Sequence, residues 1–257
     1  LRKAFDIAVD AHHDMRRKSG EPYIFHPIAV ARICAEEMGL GATSIACALL
    51  HDTVEDTELT LDDVERLFGP KCRKIIDGLT KISEVTDYTS SAQAENFRKL
   101  LISMTDDVRV ILIKIADRLH NMRTLDSMRK DKQLKIASET SFLYAPLAHR
   151  LGFYNIKTEL EDLALRFTEP EVYQDIQSKL DKSKDVRDRF IRKFSSPIKR
   201  ELEAQGVSFE IKGRPKSVFS IWNKITKKGV TFEEIFDLFA IRIIINSSKD
   251  MEKADCW

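Results

Sequence analysis

The sequence predicts a mainly α protein: an all-helical domain over residues 1–167, a helical linker over 168–205, and the beginning of an α+β unit over 206–257. Three observations carry this. Up to Phe167 apolar residues recur at helical spacing. From 170 to 206 the chain is densely charged with sparse apolar positions, which suits long helices packed on one side only. Then an alternating VSFEIKGR, a helical SVFSIWNKITKKG and a strongly apolar LFAIRIIIN follow in turn, reading as strand, helix and buried strand.

Each element has a local reason. Residues 3–17 carry Ala4, Ala8 and Ala11 on one stripe, with Phe5 and Val9 beside it, and a Gly-Glu-Pro turn follows. His26-Pro27 opens the next helix with proline at its first position, where the missing N–H is harmless. Thr43 or Ser44 caps the segment that leads to His51 and Asp52. Thr60 with Asp63 has the spacing of a capping box, for a helix ending at Gly69-Pro70. Residues 78–91 end in the polar SEVTDYTSS and read as a loop. VRVILIKIA is β-branched enough for a strand, but its continuation through Ile111, Ile115, Leu119 and Met122 keeps helical spacing, so 107–125 is predicted as a central buried helix. Pro146 disturbs the helix through FLYAPLAHRLG and Gly152 ends it.

At 257 residues and 43% hydrophobic content the chain can bury a substantial core. The net charge is +1, so no overall field points to nucleic acid or an acidic membrane, and any bound anion must be held by local clusters. Cys34, Cys47, Cys72 and Cys256 stand apart without a CxxC, as reduced thiols of an intracellular protein do. No apolar run approaches the roughly 18–20 residues of a membrane span, and no signal-peptide pattern opens the chain. A cytoplasmic protein without a membrane or direct nucleic-acid partner is expected. Both ends read as cut, so the chain is expected to be a piece of something longer.

The chemistry concentrates at His26, His51, Asp52 and Asp117, two imidazoles and two carboxylates on three separate helical segments. Such a mixed set suits Mn²⁺, Fe²⁺ or Zn²⁺ better than an all-oxygen Mg²⁺ site or a thiolate zinc site. Ala46 to Leu50 are apolar and lead straight into His51-Asp52, so the pair emerges from a buried segment, where unpartnered polar groups are expensive. Asp117 follows IKIA and meets the same argument, with Asn121 and Thr124 on its face. Glu55 and Asp56, four residues past His51 and Asp52, are placed to handle protons for a water at the ion. A capped helix end with solvated acids is the bland alternative for these groups. His12, His13, His120 and His149 read as ordinary structural histidines. Arg118 and Arg123 could hold phosphate or pair with surface acids. RRKSGEP, with Arg17 and Lys18, can clamp a phosphate or a base beside such a centre. In the second unit KGRPKS brings Arg214, Lys216 and a helix start near Ser217 together, a polyphosphate-binding pattern, and Asp237 could hold Mg²⁺.

RKSGEPYIFHP, HDTVEDT, AQAENFRKLL, KIADRLHNMRTL, YAPLAHRLGFYNIKTELEDLA and GRPKSVFSIWNKI, in this order, resemble the RelA/SpoT family of guanosine tetra- and pentaphosphate enzymes over essentially the whole chain. The resemblance implies an HD-type hydrolase domain first and then the start of a nucleotidyltransferase-like synthetase domain. It implies that the hydrolase removes pyrophosphate from the 3′ position of (p)ppGpp, giving GDP or GTP, with Mn²⁺ on His26, His51, Asp52 and Asp117. Glu55 and Asp56 match the acid pair that activates or places the water. Arg17, Lys18 and Ser19 match the loop that holds guanine and phosphates, and Asn121 and Thr124 match the ribose side. Arg214 and Lys216, with Ser217 and Lys224 close by, resemble the ATP-binding residues of the Mg²⁺-dependent synthetase, and Asp237 its first metal acid. The HDxxED segment is intact, so a working hydrolase is expected. The family's second synthetase acid lies beyond Trp257, so ATP and GDP or GTP are expected as substrates of a longer parent rather than of this chain. The ribosome is expected as a partner only through further C-terminal domains. The rivals are an HD phosphohydrolase for other nucleotides, against which RKSGEPY and GRPKS argue, and a non-catalytic nucleotide-sensing module, which would need a missing ligand.

Overall fold

The structure is a computed structural model and describes residues 1–86 and 107–245. The chain divides into two units, Leu1–Phe167 and Thr168–Trp257. In the first, helices α1 (Arg2–Ala11), α2 (Phe25–Arg32), α3 (Ala42–Leu50), α4 (Thr53–Asp56), α5 (Leu61–Phe68) and α6 (Pro70–Thr86) are followed by α7 (Val108–Arg123), α8 (Lys130–Glu139), α9 (Ala145–Arg150) and α10 (Tyr154–Thr168). The core gathers around α7, where Val110 to Ala116 are all buried, Lys114 included. Burial on all sides explains why so β-branched a run is a helix without a polar face. Each large apolar side chain buried there contributes about 1.5–3 kcal/mol.

Several local expectations need correction. The predicted helix over 3–17 stops at Ala11. Beyond it the Tyr23 N–H donates to Met15 O at 2.9 Å and the Arg17 N–H to Glu21 O at 2.9 Å. These bonds, with a bridge between Arg16 and Pro22 and Gly20 at φ +89°, close a loop in place of a helix. Pro27 is the third residue of α2, not the first, still within the turn whose N–H groups have no intrahelical acceptor. Gly41, with no side-chain bond, caps α3, and Ser44 is buried inside it, so neither Thr43 nor Ser44 is the cap. The loop expected from residue 78 is helix as far as Thr86, and its remainder lies outside the described residues. Gly78 is a packing requirement: a Cβ there would stand 2.9 Å from Val110 Cγ2, so α6 and α7 approach closely because it has none. The Thr60–Asp63 capping box forms as read. A π turn, Thr140–Tyr144, precedes Pro146, and Gly152 at φ +84° follows the end of α9.

The second unit has helices α11 (Pro170–Lys182) and α12 (Lys184–Ala204), strand β1 (Phe209–Pro215), α13 (Val218–Lys228) and β2 (Phe239–Ile245). The strands pair antiparallel from Phe209↔Ile245 to Pro215↔Phe239. No residue of β2 is buried, against the expectation of a buried strand. Among the described residues its hydrogen-bonded neighbour is β1, so its apolar side chains stay partly uncovered. No helix among the described residues is long and apolar enough to cross a membrane.

Candidate metal centre and phosphate cleft

The break between α3 and α4 makes the site. His51 ends α3 and Asp52 caps α4, so both face inward at a turn rather than diverging along one helix. His26 comes from the first turn of α2 and Asp117 from the middle of α7. Ligand atoms of His26, His51 and Asp117 lie within 4.8 Å of one another. Asp52 Oδ2 completes the group, 3.1 Å from His51 Nε2 and 3.6 Å from His26 Nε2. His26 Nε2 is 3.2 Å from Asp117 Oδ1.

These donors fit a divalent cation. His51 Nδ1 stands 2.8 Å from Ala48 O, a pure acceptor, so that nitrogen carries the proton of the neutral ring. Its Nε2 is buried without a hydrogen-bond partner and faces carboxylate oxygens. A lone pair held against carboxylates is repulsive unless a proton or a metal lies between them. In the metal-free site burial alone would lower His51, but Asp52 and Asp117 outweigh it and raise the ring to about 9. Burial likewise works against the charge of Asp52 and Asp117, yet His51 beside the first, and His26 and Lys114 beside the second, hold both well below the usual carboxylate range.

His26 is oriented from behind. Burial keeps it below the ordinary imidazole range. Its Nδ1 is 2.7 Å from Nδ1 of His120, which burial, then His26 and Arg17, push down to about 4. A neutral His120 therefore accepts the Nδ1 proton, leaving the His26 Nε2 lone pair to the centre. Lys114, buried in the apolar run of α7, sits 3.8 Å from Asp117 Oδ2. His120 was read as a structural histidine rather than a ligand, and it supports a ligand from behind; Lys114 was not expected here. A lysine in the middle of VILIKIA was the available signal, since it needs a buried anion. His12 is buried as a structural histidine, its Nδ1 on Ala8 O at 2.9 Å, and its ring stacks on Tyr23.

Of the expected acids, Asp56 is exposed, and partial burial and then the Asp52 charge hold its carboxyl above the usual carboxylate range. Glu55 is exposed, and its charge acts on Lys114. Adjoining the centre is a cleft of about 490 Å³ that includes Arg17, Lys18, Asn121 and Thr124. Arg17 donates to Asn121 Oδ1 at 2.8 Å, and Asn121 Nδ2 to Asp117 Oδ1 at 2.6 Å, which links cleft and centre directly. The Thr124 hydroxyl donates to His120 O at the end of α7. Ser19 stands outside the lining, exposed, with Glu21 Oε2 at 3.4 Å. Arg16, Arg118, Lys132 and Lys135 add to Arg17 and Lys18, against the single acid Glu139, so the cleft is strongly cationic. Arg118 lies over the Tyr144 ring at 4.3 Å. Arg123 is a surface pair, bonded to Glu37 and Glu159.

In the second unit Lys216 and Lys224 both bind Asp237, the latter at 2.5 Å to Oδ1, and together they hold its carboxyl down at about 2. Ser217 Oγ caps α13 by accepting the Ser220 N–H. Arg214 lies on β1 opposite Ala240.

A helical unit whose first helices deliver a histidine and a His-Asp pair to an aspartate on the central helix has the build of an HD domain, and the family described as "HD domain" matches residues 4–154. A second family, described as a region found in RelA/SpoT proteins, matches residues 213–256, and the chain belongs to the RelA/SpoT family. It is 45% identical over 249 residues to the bifunctional (p)ppGpp synthase/hydrolase SpoT of Escherichia coli K12, covering 96% of this chain and 35% of that protein. It is 43% identical to the guanosine-3′,5′-bis(diphosphate) 3′-pyrophosphohydrolase of Aquifex aeolicus, with 96% and 35% covered. With the GTP pyrophosphokinase of Myxococcus xanthus it shares 46% identity, with 95% and 33% covered. The chain thus spans about a third of the length of these relatives. A solved structure described as a metazoan orthologue of SpoT that hydrolyses ppGpp aligns at a TM-score of 0.50 and 26% identity, over 64% of this chain and 93% of that one. The expected fold class stands.

Proposed function

We propose that the first unit is a Mn²⁺-dependent (p)ppGpp 3′-pyrophosphohydrolase, cleaving the bond between the ribose 3′ oxygen and its diphosphate with water to give GDP or GTP and pyrophosphate. The bare, buried Nε2 of His51 between carboxylates, beside a cationic cleft, carries this reading. His26, His51, Asp52 and Asp117 would hold the ion, which when bound would supply Lewis acidity to a water and to the 3′-phosphate. Asp56, with its raised affinity for a proton, takes the proton from the attacking water, and Glu55 helps to orient that water. Arg17 and Lys18 bind phosphate and stack on the base, with Ser19 at the loop tip, and Asn121 and Thr124 position the ribose. Lys132 and Lys135 extend the positive surface toward the phosphates. In the second unit Arg214, Lys216, Ser217 and Lys224 are read as ATP-binding residues, and Asp237 as a Mg²⁺ ligand, of a site that passes pyrophosphate from ATP to GDP or GTP in a longer protein. Such soluble nucleotide substrates suit the cytoplasm.

Following guanosine tetraphosphate by ³¹P resonance with Mn²⁺, with EDTA, and with Asp52→Ala tests the hydrolase. Pyrophosphate release is expected in the first case alone. Release that survives EDTA, or none at all with Mn²⁺, defeats the reading.

A further inference from the structure

Asp52 caps a helix of four residues and makes no side-chain capping bond there, so its own backbone does not aim its carboxylate. The terminal torsion of an aspartate is also broad. The orientation must come from a neighbour. Among the described residues the hydroxyl donor to this carboxylate is Tyr23, whose OH lies 2.7 Å from Asp52 Oδ2. The Nε2 atoms of His51 and His26 lie 3.1 and 3.6 Å from the same oxygen, on the side where the ion would sit.

Tyr23 is itself held firmly. Its ring stacks on His12, with centroids 4.9 Å apart and planes at 22°, and meets His26 edge-on at 5.8 Å. His12 is pinned in turn to Ala8 O and is 1% exposed. The Tyr23 N–H closes the cleft loop on Met15 O, and the side chain lines the cleft. A hydroxyl suits this place better than an ammonium would. It fills one lone pair of Oδ2 and leaves the other for a cation, without bringing a positive charge that competes with that cation.

We propose that Tyr23 is a positioning residue for the metal centre: it aims Asp52 at the ion and ties the substrate loop to the ligand set. This rests on the metal reading above. Tyr23→Phe keeps the ring stack and removes only the hydroxyl. The measurement is Mn²⁺ binding to metal-stripped protein, read from the electron paramagnetic resonance of free Mn²⁺, with thermal midpoints of the stripped proteins alongside. The Kd for Mn²⁺ is expected to rise about tenfold or more, as for other partners behind a metal ligand, with an unchanged metal-free midpoint. Equal affinity in Tyr23→Phe and the unmodified protein overturns the proposal. So does an affinity loss accompanied by a fallen metal-free midpoint, which would make the hydroxyl part of the fold. If the unmodified protein and Asp117→Asn bind Mn²⁺ equally poorly, the metal reading itself falls and takes the tyrosine's role with it.

Discussion

Two clusters of acid and base in this chain look alike in sequence and differ in kind. At the first-unit centre the carboxylates of Asp52 and Asp117 are largely buried and face the Nε2 atoms of His51 and His26, an arrangement that is stable only with a proton or a metal among them. In the second unit Asp237 is more than half exposed and is met by two lysines that satisfy it completely. Burial sets the difference. A buried, unsatisfied group demands a ligand, whereas an exposed pair is close to neutral in energy and can exchange its partners for a phosphate or an ion at little cost. The first cluster is therefore a site in its own right, and the second is a set of side chains held ready.

The largest test of that contrast is metal affinity against pH. In the metal-free protein His51 is raised to about 9 from the ordinary imidazole value of 6.5, so its ion pair stabilises the fold fully below pH 6.5 and is lost as pH rises through 9. A metal must displace that proton. Mn²⁺ affinity is then expected to climb across the same window by up to about tenfold per pH unit, one proton leaving per ion. The Mn²⁺-induced stabilisation should grow in parallel, reaching about 2.7 kcal/mol when the ion is at 100 times its Kd, and the thermal midpoint should rise with it. Isothermal titration at several pH values in buffers of different ionisation enthalpy counts the proton. A pH-independent Kd between 6.5 and 9 would remove the buried lone pair as the reason for binding.

A smaller effect is expected at the rim of the cleft. Lys132 and Lys135 lie on α8, away from the ligands, and add charge rather than chemistry. Lys132→Ala with Lys135→Ala should raise the nucleotide KM several-fold and leave kcat unchanged, with a weaker salt dependence than the unmodified protein shows. A fall in kcat at constant KM would place these lysines in the chemistry instead.

The same contrast explains what could be read from the sequence. His26, His51, Asp52 and Asp117 stood out because polar groups interrupt apolar runs, and such interruptions are visible locally. Tyr23 and His120 did not, because what makes them important is a partner 29 residues away in one case and 94 in the other. Lys132 and Lys135 sit in a charged segment, RKDKQLK, that resembles any solvated helix face. The helix errors have physical causes as well. Gly78 looked like a breaker because the close approach of Val110 cannot be seen along the chain. Residues 12–17 looked helical because the bonds from Tyr23 and Arg17 that fold them into a loop join backbone groups, which no side-chain pattern announces.

The smallest expected effect lies in the second unit, and its smallness is the point. Asp237 is an exposed carboxylate whose low pKa comes from Lys216 first and then Lys224, so solvent and salt screen most of what the pairing contributes. Its folded value lies at about 2, below the ordinary aspartate value of 3.8, so any stabilisation is present above pH 3.8 and fades as pH falls through 2. At neutral pH and about 0.15 M salt, Asp237→Asn should leave the thermal midpoint where it is, because the two lysines regain water when the carboxylate goes. A midpoint lowered by several degrees would mean that the Lys216–Asp237–Lys224 group holds the β1–α13 junction together. The second cluster would then be structural, like a buried pair, and no longer a set of side chains free to turn toward a nucleotide.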